Sequence, residues 1–320
     1  MSSNEENDLK IAMGKNEIVR CPELHFKKIT SQNIEEVWRY CRMEPGRTCD
    51  FSYGGILMWA DIFDYEYAIF DETLFIKGKS EDDMEAPAFS LPIGKMALSE
   101  SLKLLNEWCK SQDLSLVLSA VPEYALEEIM SLEPSSVSEL EGWGDYLYEI
   151  NSLATLSGKK MAKKRNHVNQ FLHNYGNECY ERITKDNLAD VEEFMSRLES
   201  TPAPSASAAI ERSLAMEVLK GWEKNEGNFL GGLLRVNGRV EAFTIGDIKG
   251  DTLFIHIEKG NREIAGSYEM INKAFAEDML NEFPHLKFIN REDDSGDEGL
   301  RQAKMSYHPI ELLKKFSVKF

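Results

Sequence analysis

Long apolar runs are missing from this chain. No window of about 18 uninterrupted apolar residues occurs, which excludes a membrane-spanning helix. Cysteine is scarce: the five residues Cys21, Cys41, Cys49, Cys109 and Cys179 are widely spaced, odd in number and form no C-x-x-C pair. That argues against a disulfide framework or a zinc ribbon and reads as reduced, mostly buried thiols of a cytoplasmic protein. The histidines are scattered, and no phosphate-cradling P-loop, Ser/His/Asp order or metal-ligand cluster is present, so no metal is expected. Met1 to Asp8 is polar and acidic, unlike the basic stretch and apolar run of a secretory leader. Cations are outnumbered, 37 Lys and Arg against 55 Asp and Glu, giving a formal charge of -18. Nucleic acid and anionic membranes are repelled by such a chain except through a local basic face; DNA is not expected as a partner, and membrane contact is at most peripheral.

What is present is enough chain for a full core. At 320 residues, about 75% of the extended surface is buried on folding, and two domains are the expectation. An internal echo supports this: Ile29-Thr30-Ser31-Gln32-Asn33-Ile34-Glu35-Glu36-Val37 and Ile183-Thr184-Lys185-Asp186-Asn187-Leu188-Ala189-Asp190-Val191 share I-T-x-x-N-[IL]-x-[DE]-V. Each reads as a strand end followed by a helix whose first turn is capped by Thr, Ser or Asp oxygens. Helix starts resemble one another; two halves of similar size behind the copies favour duplication. The expected organisation is an extension over 1–23, a first domain over 24–155 and a second over 156–320.

In the second half the order is legible. Helix Asn187–Leu198 precedes a Pro/Ser/Ala loop, then a helix from Ile210 to Asn225. Strand Leu230–Val236 turns at Asn237-Gly238, a pair suited to the positive φ angles of a two-residue hairpin, into strand Arg239–Ile245. Asp251–Glu258 alternates as a third strand, with Leu253, Ile255 and Ile257 on one face and Phe254, His256 and Glu258 on the other. Helix Ser267–Leu280, strand Leu286–Asn290, an acidic turn, a short helix and a last strand near Leu312–Phe320 complete it. This is the order of a GNAT-type acyltransferase: an α+β fold, here two tandem GNAT-like domains, each a mixed, mostly antiparallel sheet flanked by helices. In the first half, strand-like Tyr67–Lys77, helix Ser99–Lys110 and strand Leu114–Ala120 are compatible with a second copy. Its only polar candidates are Glu44, Arg47 and Asp50, while Trp59, Phe63 and Tyr65 read as packing.

Three segments carry a resemblance. Gly158-Lys-Lys-Met-Ala-Lys-Lys-Arg-Asn166, His256-Ile-Glu-Lys259 and Asn290-Arg-Glu-Asp-Asp-Ser-Gly-Asp-Glu-Gly-Leu-Arg-Gln-Ala-Lys-Met-Ser-Tyr307 resemble the soluble family related to the C-terminal domain of phosphatidylglycerol lysyltransferase, over nearly the whole chain. The resemblance implies a pair of GNAT-like domains that move an aminoacyl group from a charged tRNA to an amine or hydroxyl acceptor. No counterpart of the membrane-spanning part of the lipid enzymes is expected within this sequence.

Charge patterning singles out a binding surface independently. Lys159, Lys160, Lys163, Lys164 and Arg165 fall within seven residues, with Asn166 adjoining. If residues 159–175 are helical, Met161, Val168, Phe171, Leu172 and Tyr175 form an apolar stripe and Lys160, Lys163, Lys164 and His167 a cationic one. Such a face can hold phosphates by backbone contacts, as on a tRNA acceptor end or a phosphorylated small molecule, or can simply be a solvated surface. His256 and Glu258 are candidates for acid–base work, Glu258 as the base that takes a proton from the attacking nitrogen, His256 as its orienter, with Lys259 beside them; a structural His–Glu pair is the alternative.

The stretch Asn261-Arg262-Glu263-Ile264-Ala265-Gly266-Ser267-Tyr268 lacks the glycine spacing by which GNAT acetyltransferases hold coenzyme A, and Glu263 would face the phosphates. That departure favours a different donor, such as an aminoacyl ester; the resemblance implies aminoacyl-tRNA as co-substrate, with acyl-CoA as the alternative and no tightly bound cofactor expected. The turn Glu292–Gly299 fails the calcium-loop spacing; Asp294 and Ser295 are expected to cap the next helix, neutralised by Arg291, Arg301 and Lys304. Asn290, Glu292 and Asp294 are candidates to bind an ammonium group, and Tyr307 to protonate the leaving group. A catalytically silent anion-binding module and a coenzyme A-dependent N-acetyltransferase remain the competing functions.

Overall fold

The computed structural model describes residues 24–80, 83–177, 179–203 and 205–320; the expected N-terminal extension and Cys21 lie outside the described residues. The first half runs β1 (Lys27–Lys28), α1 (Ile34–Cys41), α2 (Tyr53–Trp59), β2 (Glu66–Phe70), β3 (Thr73–Lys79), β4 (Pro87–Phe89), β5 (Ile93–Gly94), α3 (Leu98–Ser111), β6 (Val117–Pro122), α4 (Leu126–Met130) and β7 (Ser136–Glu139). Next come β8 (Asp145–Glu149), α5 (Ile150–Thr155), α6 (Ala162–Tyr175), β9 (Tyr180–Arg182), α7 (Leu188–Glu199), α8 (Ala206–Lys220), β10 (Leu230–Val236), β11 (Arg239–Lys249), β12 (Thr252–Gly260), α9 (Ser267–Glu282), β13 (Phe288–Asn290), α10 (Glu298–Met305), β14 (Glu311–Leu313) and β15 (Lys315–Lys319). The fold is α+β, with two mixed sheets flanked by helices.

The sheets follow one plan. Their orders are β1-β2-β3-β4-β6-β15-β7, with β5 beside β3, and β9-β10-β11-β12-β13-β8-β14. Position by position they correspond, including the parallel pairs β4/β6 and β12/β13. One strand of each is exchanged: β8 inserts between β13 and β14, and β15 between β6 and β7. A boundary at 155/156 therefore needs correction, because 145–149 belong to the second sheet and 315–319 to the first. The expected last strand is likewise two strands in different sheets.

The sequence echo is also a structural one, with different chemistry from a helix cap. Asn33 accepts from the Thr30 N–H at 2.8 Å and donates to the Lys28 carbonyl at 2.9 Å; Asn187 does the same with Thr184 and Arg182, both at 2.8 Å. Each Asn staples the strand end to the helix start, and neither caps the first turn. The Asn237-Gly238 hairpin forms with φ of 51° and 79°.

Two apolar clusters lie on opposite faces of the second sheet. One, with Leu233, Phe243, Ile245 and Ile257, continues through α7 and α8 into the first half; the other, with Leu253, Ile255 and Phe275, is covered by α5, α6 and α9. Ile257 thus faces away from Leu253 and Ile255, against simple alternation. The cause is a bulge: Ile245 pairs with Ile257 but Gly246 pairs with Ile255, leaving His256 unpaired.

Candidate functional site

A cleft of about 1360 Å³ opens beside this bulge, lined by both halves. Because the bulge turns His256 and Glu258 to different sides, they do not contact each other as expected. His256 sits with its side chain 1% exposed, Nε2 2.6 Å from Asp247 Oδ2 and Nδ1 2.7 Å from Glu292 Oε1. Burial favours the neutral ring, but the two carboxylates outweigh it and push its pKa up to about 10, so both ring nitrogens donate. The Gly54 N–H also donates to Asp247 Oδ2, at 2.6 Å. A Cβ on Gly54 would lie 2.4 Å from His256 Nε2, so only glycine admits this approach.

Glu292 occupies the left-handed region, φ 57°, where its N–H donates to Asn290 Oδ1 at 2.6 Å. Asn290 donates in turn to the Arg47 carbonyl and to Asp145 Oδ2, at 2.6 and 2.8 Å. It is a buried brace; the cleft-lining residues include Glu292 but not Asn290. Burial raises the pKa of Glu292 against the pull of the imidazolium.

Glu258 is closed by Arg291 at 2.8 Å and Asn272 at 3.1 Å. The Arg291 guanidinium lies 4.8 Å from the Tyr307 ring centroid, and Lys164 Nζ lies 4.0 Å from it on the basic helix. Tyr307 is 4% exposed, and burial raises its phenol pKa, keeping it protonated. Lys164 pairs with Glu269 at 3.3 Å, and burial lowers its pKa.

The remaining expected residues divide. Of the basic segment, only Lys164 lines the cleft; Lys159, Lys160, Lys163 and Asn166 are exposed on α6 and the turn before it, outside the cleft lining. Arg165 is a structural cation that donates to the Leu156 and Gly158 carbonyls. Lys259 lines the cleft paired with Glu211. Asp294 accepts from Arg301 through two bonds of 3.0 Å and from the Tyr146 hydroxyl, so it is no free ammonium site. The α10 cap is Asp297, which accepts from the Leu300 N–H at 2.8 Å, in place of Asp294 or Ser295. Lys304 spends its ammonium on the Arg291 and Asp293 carbonyls, fixing the loop that carries Glu292.

Sequence reasoning missed Asp247 and Lys315. Asp247 lies in a strand with no motif around it; a carboxylate in an otherwise apolar run was the available signal. Lys315 Nζ stands 2.9 Å from both Asp50 and Asp145. Cys49, Asp50 and Asp145 converge closely enough to hold a cation, but this ammonium already fills that role. Of the first-half candidates, Glu44 pairs with Lys249 and Arg47 with Asp251, while Asp50 lines the cleft. Trp59, Phe63 and Tyr65, read as packing, line it too, with Trp143. Among the described residues, no helix is long and apolar enough to cross a membrane.

Comparison with known proteins agrees with this architecture. The family described as phosphatidylglycerol lysyltransferase, C-terminal, matches residues 44–319. A crystal structure of a conserved protein of unknown function from Bacteroides thetaiotaomicron superposes with a TM-score of 0.83 at 30% identity, covering 93% of this chain and 99% of that one. The C-terminal domain of a putative lysylphosphatidylglycerol synthetase from Agrobacterium fabrum gives 0.62 at 10% identity, covering 90% and 92%, and is alike in fold. An uncharacterized protein of Mycoplasmoides gallisepticum is 26% identical over 180 residues, which span 55% of this chain and 56% of that relative's length.

Proposed function

Since the chain belongs to the family of phosphatidylglycerol lysyltransferase C-terminal domains, we propose that it is an aminoacyltransferase acting in the cytoplasm, with an aminoacyl-tRNA as donor and an amine or hydroxyl as acceptor. The observation that carries this reading is one cleft lined both by a half-buried carboxylate, Glu292, pinned by His256, and by a protonated phenol, Tyr307, with two cations against its ring.

The acceptor attacks the carbonyl carbon of the aminoacyl ester directly. A bond from acceptor nitrogen or oxygen to carbon forms, and the bond from carbon to the ribose oxygen breaks. Glu292 takes the proton from the acceptor: burial makes it more basic than an exposed carboxylate, and His256 holds only one of its oxygens. Tyr307 returns a proton to the departing ribose oxygen. Glu258, given the base role from sequence, instead holds Arg291 over the Tyr307 ring. The exposed lysines Lys159, Lys160 and Lys163 lie on the same helix as Lys164 or in the turn before it and suit the phosphates of an acceptor stem. The single glycine of the 261–268 stretch serves close packing: a Cβ on Gly266 would lie 2.4 Å from the His167 carbonyl of α6.

The test is incubation with a panel of charged tRNAs and acyl-CoA donors, each with amine and hydroxyl acceptors. We expect loss of an aminoacyl ester, slowed about 10²- to 10⁴-fold in Glu292→Gln. Consumption of the thioester alone, or an unaltered rate in that variant, would overturn the assignment.

A further inference from the structure

Aromatic rings line the large cleft in two different states. The Tyr307 ring already carries two cations, Lys164 and Arg291. Trp59, Phe63 and Trp143 form a separate cluster, with ring centroids 5.8 Å apart for Trp59 and Phe63 and 6.5 Å for Phe63 and Trp143. Among the described residues, no lysine or arginine lies over any of these three rings. Two elements tie the cluster to Glu292. Gly54, in the first turn of α2, packs against His256, and Trp59 ends the same helix about 7 Å further along its axis. The turn before Trp143 meets the acidic turn: a Cβ on Gly142 would lie 3.2 Å from the Gly296 nitrogen. In that acidic turn Asp293, next to Glu292, lines the cleft. Its Oδ1 accepts from the Ser295 N–H and hydroxyl at 2.8 and 2.9 Å, while Oδ2 has no hydrogen-bond or ion-pair partner among the described residues and is not sealed from solvent. The nearby ammonium groups are spent, Lys315 on Asp50 and Asp145 and Lys304 on two carbonyls.

Free aromatic faces beside an unpaired carboxylate suit a cation on an aliphatic stem: the rings attract the charge and cover the methylenes, and the carboxylate is its counterion. A hydroxyl gains little from the rings, and a phosphate is repelled by Asp293 and Glu292. Building on the transfer reading above, we propose that the acceptor is a linear diamine, whose near amine attacks beside Glu292 while its far ammonium rests against Asp293 and the Trp59, Phe63 and Trp143 rings. The near amine enters uncharged. Its nitrogen bonds to the ester carbonyl carbon, one of its protons passes to Glu292, and the ribose oxygen leaves with the proton of Tyr307; solvent then carries the proton from Glu292 back to Tyr307. The far ammonium keeps its charge throughout.

Calorimetric titration with 1,5-diaminopentane, and with 1,5-pentanediol at equal ionic strength, reads the site without any transfer reaction. Saturable binding of one diamine per chain is expected, with none of the diol, weakened about two- to thirtyfold in Trp143→Leu and in Asp293→Asn. Asn at 293 can still accept from Ser295, so that variant keeps the turn where loss of the Trp143 ring disturbs packing. Absence of saturable diamine binding, equal binding of the diol, or unchanged affinity in both variants would overturn the proposal. With charged tRNA added, an aminoacylated diamine identified by mass supports it. Inhibition of ester loss without that product would place the cation in the pocket of the donor's own amino acid and overturn it. The two readings fail separately: diamine binding without loss of any ester sinks the transfer reading and leaves a diamine site, whereas ester loss to a hydroxyl acceptor without diamine binding sinks this proposal alone.

Discussion

The charge on His256 has a measurable consequence for stability. In the unfolded chain the ring titrates near 6.5; folded, between Asp247 and Glu292, it does so at about 10. A raised pKa means that the stabilisation is fully present below the unfolded value and is lost as pH rises through the folded one. Carrying a histidine from 6.5 to about 10 corresponds to roughly 5 kcal/mol, and between about pH 7.5 and pH 9 the folded state holds one more proton than the unfolded state. Stability should therefore fall by about 2 kcal/mol across that interval from this group alone. Lys164 and Lys304, whose pKa values burial lowers, titrate with the opposite sign. The urea-unfolding profile is accordingly read as the difference between wild type and His256→Gln, which keeps both lysines. Histidine NMR gives the direct measurement: of the six histidines, the resonance that disappears in His256→Gln should stay in its protonated position up to about pH 9. If that resonance titrates near 6.5 instead, the ring is neutral at working pH and the clamp on Glu292 is misassigned.

Three further outcomes are expected. Glu258→Gln leaves the Arg291 guanidinium buried without its counterion and should cost about 3–5 kcal/mol in urea unfolding, far more than an exposed pair would. Gly54→Ala drives a methyl into His256 and Phe229, so a loss of about 1–3 kcal/mol is expected along with a displaced His256 resonance. Replacing Lys159, Lys160 and Lys163 together by Gln should leave the melting temperature unchanged while flattening the salt dependence of tRNA binding by roughly 0.7 to 0.9 log units for each phosphate no longer neutralised.

Much of the fold was legible because local chemistry dictates it. Asn237-Gly238 fixes a hairpin, helical spacing marks α7 and α9, and the repeated I-T-x-x-N segment marks two equivalent strand-to-helix joints. The bulge was not, because it is a property of two paired strands: nothing in Asp251–Glu258 says that Gly246 opposite will pair past His256. Once that residue drops out of register, alternation inverts, Glu258 leaves His256 for Arg291 and Asn272, and the two halves of an expected pair acquire different partners. The basic segment misled for a related reason. Periodicity groups Lys160, Lys163 and Lys164 on one stripe, but only docking of α6 against α9 decides which of them reaches the cleft, and it selects Lys164.

The strand exchange explains why the site lies where it does. Exchange brings Asp145 at the start of β8 and Lys315 at the start of β15 to the crossing point, where the ammonium meets Asp145 and Asp50. Asp145 then holds Asn290, Asn290 fixes the strained backbone of Glu292, Glu292 holds His256, and His256 reaches Asp247, which the Gly54 N–H secures from the first half. Most of these links join residues far apart in sequence or on different sheets, so the arrangement exists only when both halves are folded and crossed. A positive φ at Glu292 persists only where the surroundings over-determine it, and this network supplies that constraint. The carboxylate proposed to move the proton is thus positioned by the same contacts that lock the two halves together.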